Sequence, residues 1–578
     1  MRQRMLILLV LLGGAPSTVL AATYYADPAG GGAASCVDNA ANVCTLQRAV
    51  TVSSAGDTII AANGTYDLGA STLAVNKNVT IGPVTAGAGI ITSSHATSTV
   101  DLTASNDANT LTFGAFDVRN TGSAGQVMRI LTAAYDATVQ LSGTIIPAGG
   151  VNRHIQDAWV RGTIKLTNVQ LGGTIGTLAG FYSVTTPTSA KKIQITGGSY
   201  VLTASASNTP AIWIERAAGV SVSEWVYISS PTVTVTVPSA LGTSALGVGI
   251  RLNRITSGTG LTGTTEPPIV EYANVTLSTP GATGTDALGI VTSSTDATAV
   301  ADNAIFRHNT VTCYGPAARC ISIGTDGATA FNAANAQIYG NTVTGTYYDG
   351  SSTPHGISIG RVNGGVAWGN TVNGFAVGII TSINQGALVT GNIVRGSYYA
   401  PLFSKGSGVT TSPIFANNTV VIDDALYGAK FGIYGCQGVA SQSGVNNAAA
   451  LFQNNICYVK SGTAWQYGVV DTSQTATFDS NNYYSLVTLT NPWRYQSTSY
   501  ATLALWNAAA TVGTDLEVNP LFVSDTDLRL RADSPLRRTG KWASIGCKDV
   551  RGRPCFVPPD IGAYQASSGD AAVPRAPR

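Results

Sequence analysis

The sequence predicts an all-β chain that folds as a single right-handed parallel β-helix with a short N-terminal cap and an irregular C-terminal cap. Three observations lead to this prediction: a short asparagine-led unit recurs, charged residues make up only 11% of the 578 residues, and glycine is abundant, with 65 residues. Long amphipathic helices require many Glu, Lys, Leu and Arg residues, whereas β-branched residues and turn formers favour many short strands.

The recurring unit is an asparagine followed by two strand-forming residues, and an apolar block often led by glycine lies midway between copies. A unit this short cannot bury its own apolar face, so we expect the copies to stack and to complete each other's backbone hydrogen bonds. Each asparagine is predicted to lie at a tight turn in the left-handed region, with the stacked amides hydrogen-bonded along the axis. The copies begin at Asn309, Asn341, Asn370, Asn392, Asn418, Asn455 and Asn482, with weaker copies at Asn168 and Asn274.

The first 22 residues have the features of a secretory signal peptide. Two arginines precede the apolar run 5–12, and a small-residue cleavage site follows. We therefore predict a signal peptide over 1–22, one β-helix domain over 23–565 and a disordered tail over 566–578. No later stretch is apolar for long enough to span a membrane. The mature protein is expected to be secreted, to the cell surface, the medium or the periplasm.

Charge and cysteine content narrow the range of partners. The net charge of +2 gives no electrostatic case for nucleic acid or an anionic membrane surface. The sparse charge favours a polysaccharide, a cell-surface glycan or self-association instead. An even number of cysteines in an exported chain predicts disulfides. The near-neighbour pairs are Cys36 with Cys44, Cys313 with Cys320, Cys436 with Cys457, and Cys547 with Cys555.

Both ends of the mature chain carry motifs outside the repeat. The opening motifs occupy 23–28, 45–50, 55–59 and 63–66, and the closing motifs occupy 519–522, 527–530, 533–535, 549–554 and 560–564. Together with the asparagine units between them, these motifs resemble secreted right-handed β-helix proteins of the pectate-lyase-like group. The resemblance implies the fold, while the activities in that group range over lyases, hydrolases, epimerases and adhesins.

The end segments also predict how the β-helix is closed. Residues 45–50 read as a short amphipathic N-terminal cap, with Ala49 and Val50 turned towards the first coil. The proline-rich end at 554–559 is expected to cover the opposite edge. Such caps hide unpaired strand edges that otherwise invite aggregation.

Alignment of the midway blocks brings three candidate catalytic residues, Arg361, Lys405 and Tyr434, near one outward face. A polysaccharide lyase needs a base that withdraws the proton α to a uronate carboxyl, a cation or Ca²⁺ that neutralises the developing charge, and an acid. The segment 403–407 is similar to the strand that bears the catalytic lysine in β-helix alginate and chondroitin lyases. The Arg-His pair that follows one coil later in that family is replaced here by 430–434.

Aromatic and polar residues near the same units are the predicted substrate-binding residues, because sugar rings present apolar faces to aromatic side chains. The strand that opens at His355 looks like the His-Gly strand of polygalacturonases, without their catalytic carboxylates. The predicted set is Trp368, Tyr347, Tyr348, Tyr398, Tyr399 and His355. Asp423 and Asp424 are candidate ligands for Ca²⁺, the one cofactor that the sequence suggests.

Two classes of function remain open from the sequence. The first is an enzyme that acts on an extracellular polysaccharide, with lyase-like β-elimination on a uronate polymer as its chemistry. The second is a non-catalytic surface or extracellular β-helix that binds glycan or self-assembles. The terminal motifs and the aromatic doublets favour the first class, whereas the sparse charge and the missing family catalytic residues favour the second.

Overall fold

The computed structural model describes the chain between residues 21 and 566. Within these limits it leaves out residues 32–35, 37–42, 106–109, 123–124, 132–135, 148–151, 159–160, 177, 186–190, 207–208, 217–223, 239–246, 256–257, 260–264, 280–286, 293–302, 316–317, 325–332, 346–352, 361, 383–385, 397–398, 406–410, 424–434, 441–449, 463–465, 471–473, 510–512 and 543–546.

Short strands make up most of the described chain. The first half comprises β1 (Thr23–Gly31), α1 (Leu46–Val52), β2 (Thr58–Ala61), β3 (Gly64–Asp67), β4 (Leu73–Val75), β5 (Thr80–Pro83), β6 (Gly89–Ser93), β7 (Val100–Leu102), β8 (Thr110–Gly114), β9 (Asp117–Asn120), β10 (Gln126–Ile130), β11 (Thr138–Ser142), β12 (Ile145–Ile146), β13 (Arg153–Asp157), β14 (Gly162–Thr167), β15 (Gln170–Ile175), β16 (Ala179–Thr185), β17 (Lys191–Thr196), β18 (Ser199–Ala204), β19 (Thr209–Arg216), β20 (Glu224–Ser229), β21 (Thr232–Thr236), β22 (Gly247–Asn253), β23 (Gly258–Thr259), β24 (Thr265–Glu266), β25 (Ile269–Glu271) and β26 (Asn274–Ser278). The second half comprises β27 (Ala287–Thr292), β28 (Ile305–Arg307), β29 (Thr310–Tyr314), β30 (Arg319–Ile323), β31 (Ala333–Ala334), β32 (Gln337–Tyr339), β33 (Thr342–Gly345), β34 (His355–Gly360), β35 (Val362–Asn363), β36 (Val366–Trp368), β37 (Thr371–Asn373), β38 (Val377–Ser382), β39 (Leu388–Thr390), β40 (Ile393–Arg395), β41 (Ala400–Lys405), β42 (Ile414–Ala416), β43 (Thr419–Ile422), β44 (Gln437–Ala440), β45 (Ala450–Gln453), β46 (Ile456–Val459), β47 (Gly468–Val470), β48 (Ala476–Asp479), β49 (Asn482–Ser485), β50 (Trp493–Tyr495), β51 (Thr498–Tyr500) and α2 (Leu503–Asn507).

Three long sheets hold almost all of these strands. Sheet A has 16 strands from β1 to β48, sheet B has 15 strands from β3 to β49, and sheet C has 16 strands from β4 to β51. Each coil of chain passes through sheets A, B and C in turn, and a strand pairs in parallel with its counterparts one coil away, as β14 does with β11 and β17. This arrangement confirms the predicted right-handed parallel β-helix.

The strands form because their side chains alternate between a buried and an exposed face. In β14 and β17, buried and half-buried residues alternate along the whole strand. Ile164, Leu166, Ile193 and Ile195 point inward and are at most 1% exposed. Residues of this type suit a pleated, half-buried surface. Each coil therefore adds one layer to a continuous apolar core.

The turn from sheet A to sheet B repeats from coil to coil, and one of its residues has positive φ. The prediction that this residue is the repeated asparagine is wrong, because the left-handed position belongs to the residue before it. Glycine accepts this conformation without strain, and asparagine tolerates it better than most other residues. In the coils that carry the repeat, the left-handed residue is His308, Gly340, Gly369, Gly391, Asn417, Asn454 or Ser480.

The asparagine after each left-handed residue joins a buried amide ladder, as predicted. Its Nδ2 donates to Oδ1 of the asparagine one coil later at 2.9–3.0 Å. The ladder consists of Asn309, Asn341, Asn370, Asn392, Asn418, Asn455 and Asn481, and it ends on Asp515, whose Oδ1 accepts from Asn481 at 3.1 Å. The last copy is thus one residue earlier than the predicted Asn482. The two weaker copies are outside the ladder. Asn168 is itself the left-handed residue of its turn, with φ 52°. Asn274 lies in β26, where its register partner is Thr310.

Glycine leads the midway blocks because adjacent coils approach closely there. A Cβ atom on Gly289 would lie 2.2 Å from the carbonyl oxygen of Cys320, and one on Gly356 would lie 2.8 Å from that of Gly378. A larger residue at either position would push the next coil away, so these glycines are required by the spacing of the coils.

A short helix caps the N-terminal end, as predicted. Helix α1 buries Leu46, Ala49 and Val50 against the first coils. The ammonium group of Lys77 donates to three carbonyl oxygens at the end of this helix, at 2.5–3.2 Å. These bonds satisfy carbonyl groups that a helix end otherwise leaves without a partner.

The opposite end is closed by a hairpin and a helix. Strands β50 and β51 pair antiparallel, and Trp493 of the hairpin is 1% exposed. Trp506 of α2 is fully buried, and its ring stacks on that of Trp493 with the centroids 6.2 Å apart. These two indoles cover the apolar interior of the last coils.

The proline-rich segment lies elsewhere, so the prediction that it covers the last edge is wrong. The chain beyond residue 514 runs back along the outside of sheet B. There Leu528, Leu536 and Ile561 pack on outward side chains of the sheet that include Ile393 and Ile456. The physical reason is that these outward side chains are apolar in the later coils. Covering them removes apolar surface from water, which stabilises the folded chain.

All four predicted disulfides are present, joining Cys36 to Cys44, Cys313 to Cys320, Cys436 to Cys457 and Cys547 to Cys555. Disulfides are typical of proteins that fold outside the cytoplasm. Among the helices of the described chain, none has the length and apolar character needed to cross a membrane. The predicted signal peptide and tail lie almost entirely outside the described residues.

Candidate functional site

The predicted catalytic residues are only partly within the described structure. Lys405 is exposed at the end of β41. Arg361 and Tyr434 lie outside the described residues. The alignment that placed Tyr434 after Phe403 is wrong, because the register pairs Phe403 with Gly438.

The predicted sugar platform at Trp368 is engaged within the chain. Tyr339 stacks on its indole with the ring centroids 4.3 Å apart, and Lys548 Nζ lies 4.4 Å from the centre of the same ring. The ring is only half-buried, but its stacking partners come from this chain.

Two of the other predicted substrate-binding residues, His355 and Tyr399, lie within the described structure, His355 on sheet C and Tyr399 directly before β41 of the same sheet. His355 is 9% exposed at the start of β34, and Tyr399 packs edge-on against Phe403 with the ring centroids 6.0 Å apart. Three members of the set, Tyr347, Tyr348 and Tyr398, lie outside the described residues.

The candidate Ca²⁺ ligand Asp423 already has a cationic partner. Lys460 Nζ lies 3.0 Å from its Oδ2 and 3.1 Å from Asp525 Oδ2. Asp424 lies outside the described residues. Over the described ranges, no group of three or more His, Cys, Asp or Glu side chains is placed to hold a metal ion.

A different group of side chains is concentrated on the outward face of sheet C, in β13, β16, β19 and β22. The register pairs Tyr182 with Trp213 and Trp213 with Arg251, so successive coils project these residues from the same position, about 4.8 Å apart. We call Arg153, Tyr182, Trp213, Glu215 and Arg251 the arginine–aromatic cluster.

The two arginines of the cluster lie over its two rings. The guanidinium carbon of Arg153 is 4.5 Å from the ring centre of Tyr182, and that of Arg251 is 5.2 Å from the ring centre of Trp213. The rings meet edge to face at 5.2 Å with an angle of 87°. These three contacts join the four side chains into one continuous run along the axis. Each cation–π contact contributes about 0.5–2 kcal/mol.

Glu215 fixes the cluster through hydrogen bonds from two strands. Its Oε2 accepts from Trp213 Nε1 at 2.8 Å and from Asn253 Nδ2 at 3.2 Å. Its Oε1 accepts from Arg254 Nη1 at 2.7 Å. Three donors therefore hold this carboxylate beside the indole, which limits the orientations that the ring can adopt.

Arg251 is the most deeply buried charge of the cluster, with 6% of the residue exposed. Burial lowers the pKa of its guanidinium to about 10, and the nearby Glu215 carboxylate acts in the opposite direction. Burial also lowers the pKa of Arg153. Arg251 therefore remains charged at neutral pH, so the cluster presents positive charge beside its aromatic rings.

Inside the β-helix, in the same coils, Lys191 lies between two buried carboxylates. Its Nζ is paired with Asp157 and lies 3.8 Å from Glu224 Oε1, and each of these three residues is at most 1% exposed. Burial raises the pKa of Glu224 to about 7, although Lys191 lowers it in part. These groups cannot reach a bound polymer, so their effect is on the stability of the coils.

Sequence reasoning misses the arginine–aromatic cluster because the repeat signal is weak between residues 90 and 300. Without asparagine markers, strands cannot be aligned, and Tyr182, Trp213 and Arg251 read as unrelated residues. The available signal is the alternation within β19, where Trp213 and Glu215 occupy outward positions two residues apart. It identifies an outward pair but not the neighbours in adjacent coils.

No family model matches the sequence, and no curated protein matches it either. Among solved structures, the pectate lyase Pel9A is similar with a TM-score of 0.22 and 14% identity, covering 94% of this chain and 96% of that one. A mutant tailspike protein of the E. coli bacteriophage HK620, in complex with a pentasaccharide, gives a TM-score of 0.30 and 15% identity, covering 79% of this chain and 73% of that one. The fold assignment rests on the strand register described above.

Proposed function

We propose that the chain binds an extracellular polysaccharide along the outward face of sheet C, at the arginine–aromatic cluster. The observation that carries this proposal is the pair of half-buried rings, Tyr182 and Trp213, at register partners on adjacent coils. Aromatic rings bind the apolar faces of sugars, and neighbouring polar groups bind their hydroxyls. Glu215 and Asn253 supply such polar groups beside the indole.

The shape of the surface favours a polymer over a small ligand. The cluster extends from β13 to β22, which is three strand spacings or about 14 Å along the axis. The register partners Tyr182, Trp213 and Arg251 lie in a line parallel to that axis. An extended glycan placed along this line would contact several coils at once.

The test is the affinity of the purified protein for a panel of extracellular polysaccharides, measured by calorimetry. We expect at least one glycan to bind, and the double variant Tyr182→Ala with Trp213→Ala to lose most of that affinity. The matched control is Tyr272→Ala in the turn after β25 of sheet A, where the residue is 57% exposed. Equal loss in both variants, or no binding to any glycan, would rule out the proposal.

Cleavage of the bound glycan by lyase-like β-elimination is a second, finer hypothesis. One observation favours it: Lys405 is exposed on sheet C, the sheet that bears the cluster. Six strand spacings separate β19 from β41, or about 29 Å along the axis. Only an extended polymer would reach both positions.

This chemistry has a direct readout, because β-elimination on a uronate polymer creates an unsaturated end that absorbs ultraviolet light. If the hypothesis holds, absorbance rises with a uronate polymer, and Lys405→Ala abolishes the rise while leaving glycan affinity unchanged. If no polymer yields product with or without Ca²⁺, the chain belongs to the non-catalytic, glycan-binding class.

A further inference from the structure

Arg251 has unused hydrogen-bonding capacity at a buried position. A guanidinium group carries five N–H donors. The residue is 6% exposed, its Nε has no hydrogen-bond partner in the described structure, and its side-chain contact is with the Trp213 ring. Leaving a buried charge without hydrogen bonds is costly, so the site is incomplete as the chain alone forms it.

The carboxylate nearest to Arg251 does not complete the site. Glu215 influences Arg251 electrostatically, but its oxygens already accept from Trp213, Asn253 and Arg254. The cluster therefore has one carboxylate, satisfied by other donors, and two arginines that lie over rings.

Arg153 repeats the pattern at the other end of the cluster. Its Nε is buried without a hydrogen-bond partner in the described structure, and its guanidinium lies over Tyr182. The rings of Tyr182 and Trp213 thus lie between two cations, each with a donor available. An anionic group on a bound ligand would satisfy either cation.

We infer that Arg251, assisted by Arg153, is an anion-binding site that takes a carboxylate or sulfate group on the glycan. The inference rests on the proposed function, which supplies the glycan, and it adds that the glycan is acidic. A planar guanidinium group binds the oxygens of either anion through paired N–H donors. The aromatic rings hold the sugar and the arginines select its charge.

The test compares three forms of one glycan that the protein binds: the uronate form, its carboxyl-reduced neutral form, and the neutral form after sulfation. Calorimetry should show one or both acidic forms binding about 10- to 100-fold more tightly than the neutral form, the difference that one charged, desolvated contact supplies. The stronger acidic form identifies the anion. The preference should also shrink as salt is added.

Two variants assign that preference to the cluster. Arg251→Gln should remove most of the preference for acidic glycans, so that the acidic and neutral forms bind with similar affinity. Arg153→Gln, at a half-buried position, should reduce the preference for acidic glycans partially. It provides the test if the Arg251 variant does not fold. The matched control is Arg119→Gln on sheet B, where Arg119 pairs with Asp117.

The failure of this inference differs from the failure of the proposed function. Equal affinity for the acidic and neutral forms overturns the anion site and leaves glycan binding standing. A preference that persists in both Arg251→Gln and Arg153→Gln also overturns it. No binding to any glycan form overturns the proposed function and the inference with it.

Discussion

The indole of Trp213 donates from Nε1 to Oε2 of Glu215, two residues along the same strand, at 2.8 Å. Residues two apart on a strand point to the same face, so this bond holds the ring on the outward side of sheet C. Asn253 and Arg254 donate to the same carboxylate from the next coil. The position of the ring is therefore set by two coils together.

Glu215→Gln keeps an acceptor of the same size but removes the negative charge that these donors bind. We expect the ring to lose its fixed orientation and glycan affinity to fall about 10-fold or more, since a hydrogen bond to a charged group contributes about 1.5–3 kcal/mol. Calorimetry with the bound glycan measures the effect. The control is Asp533→Asn, which removes a carboxylate paired with Arg531 in the C-terminal segment; if both variants lose affinity equally, Glu215 has no special role.

Asn392 in the middle of the amide ladder is predicted to be among the most sensitive positions of the fold. Its Nδ2 donates to Ala367 O and to Asn418 Oδ1, and its Oδ1 accepts from Asn370. Asn392→Ala leaves several buried groups unpaired, so we expect the free energy of unfolding to fall by about 3–5 kcal/mol in denaturant titrations. Asn274→Ala, at an exposed position outside the ladder, should change it by less than about 0.5 kcal/mol. A loss at Asn392 as small as that of the control would contradict the structural role of the ladder.

Glu224 contributes stability that is lost as pH rises from about 4.5 to about 7, because burial raises its pKa from the ordinary 4.5 to about 7. A raised carboxyl pKa means that the folded chain binds the proton more tightly than the unfolded chain, so the stabilisation is complete below the lower value and lost above the higher one. Burial also raises the pKa of Asp515, to about 6, which acts in the same direction. The buried His154 acts in the opposite direction, because burial lowers its pKa to about 4.

Glu224→Gln removes one of these titrating groups. Compared with the parent protein, the change in the free energy of unfolding across that pH range should shift towards greater stability at high pH, by an amount on the order of 2–3 kcal/mol. Denaturant titrations at several pH values measure it, with Asp533→Asn as the control carboxylate. The explanation fails if the variant and the parent protein show the same pH dependence.

Leu536 is predicted to anchor the C-terminal segment on the outside of sheet B, where it is fully buried. Leu536→Ala should cost about 2–4 kcal/mol, as large-to-small substitutions in apolar cores do. We expect limited proteolysis to cut the segment beyond residue 514 faster while the coils resist. Leu505→Ala, at a residue that is 55% exposed, is the control and should leave the cleavage rate unchanged. Unchanged cleavage in the Leu536 variant would show that the segment is held by other contacts.

The fold could be predicted from the sequence because its strongest determinants are local and repeated. The ladder asparagine recurs in each later coil and a glycine recurs in many of the midway blocks, because each coil has the same turn and adjacent coils approach closely. The prediction of Asn482 as the last ladder residue, where the structure has Asn481, shows where the sequence pattern stops being sufficient. Two adjacent asparagines fit the pattern equally well, and only the register with Asn455 distinguishes them.

The candidate site could not be predicted in the same way, because it depends on which residues of unequal coils become neighbours. Between Lys405 and the next strand of sheet C, the chain is longer than in the two coils before it. The sequence alignment therefore placed Tyr434 at the position that Gly438 occupies. In the earlier coils, Trp213 and Arg251 are 38 residues apart in sequence and adjacent in space. No local pattern encodes that adjacency.

Oxidative footprinting with and without a bound polysaccharide maps the glycan contact surface residue by residue. We expect the side chains of Tyr182 and Trp213 to become protected when glycan is added, while Trp542 of the C-terminal segment, at 48% exposure, reacts as before. Bound glycan that leaves Tyr182 and Trp213 as reactive as in the free protein would contradict binding at the arginine–aromatic cluster.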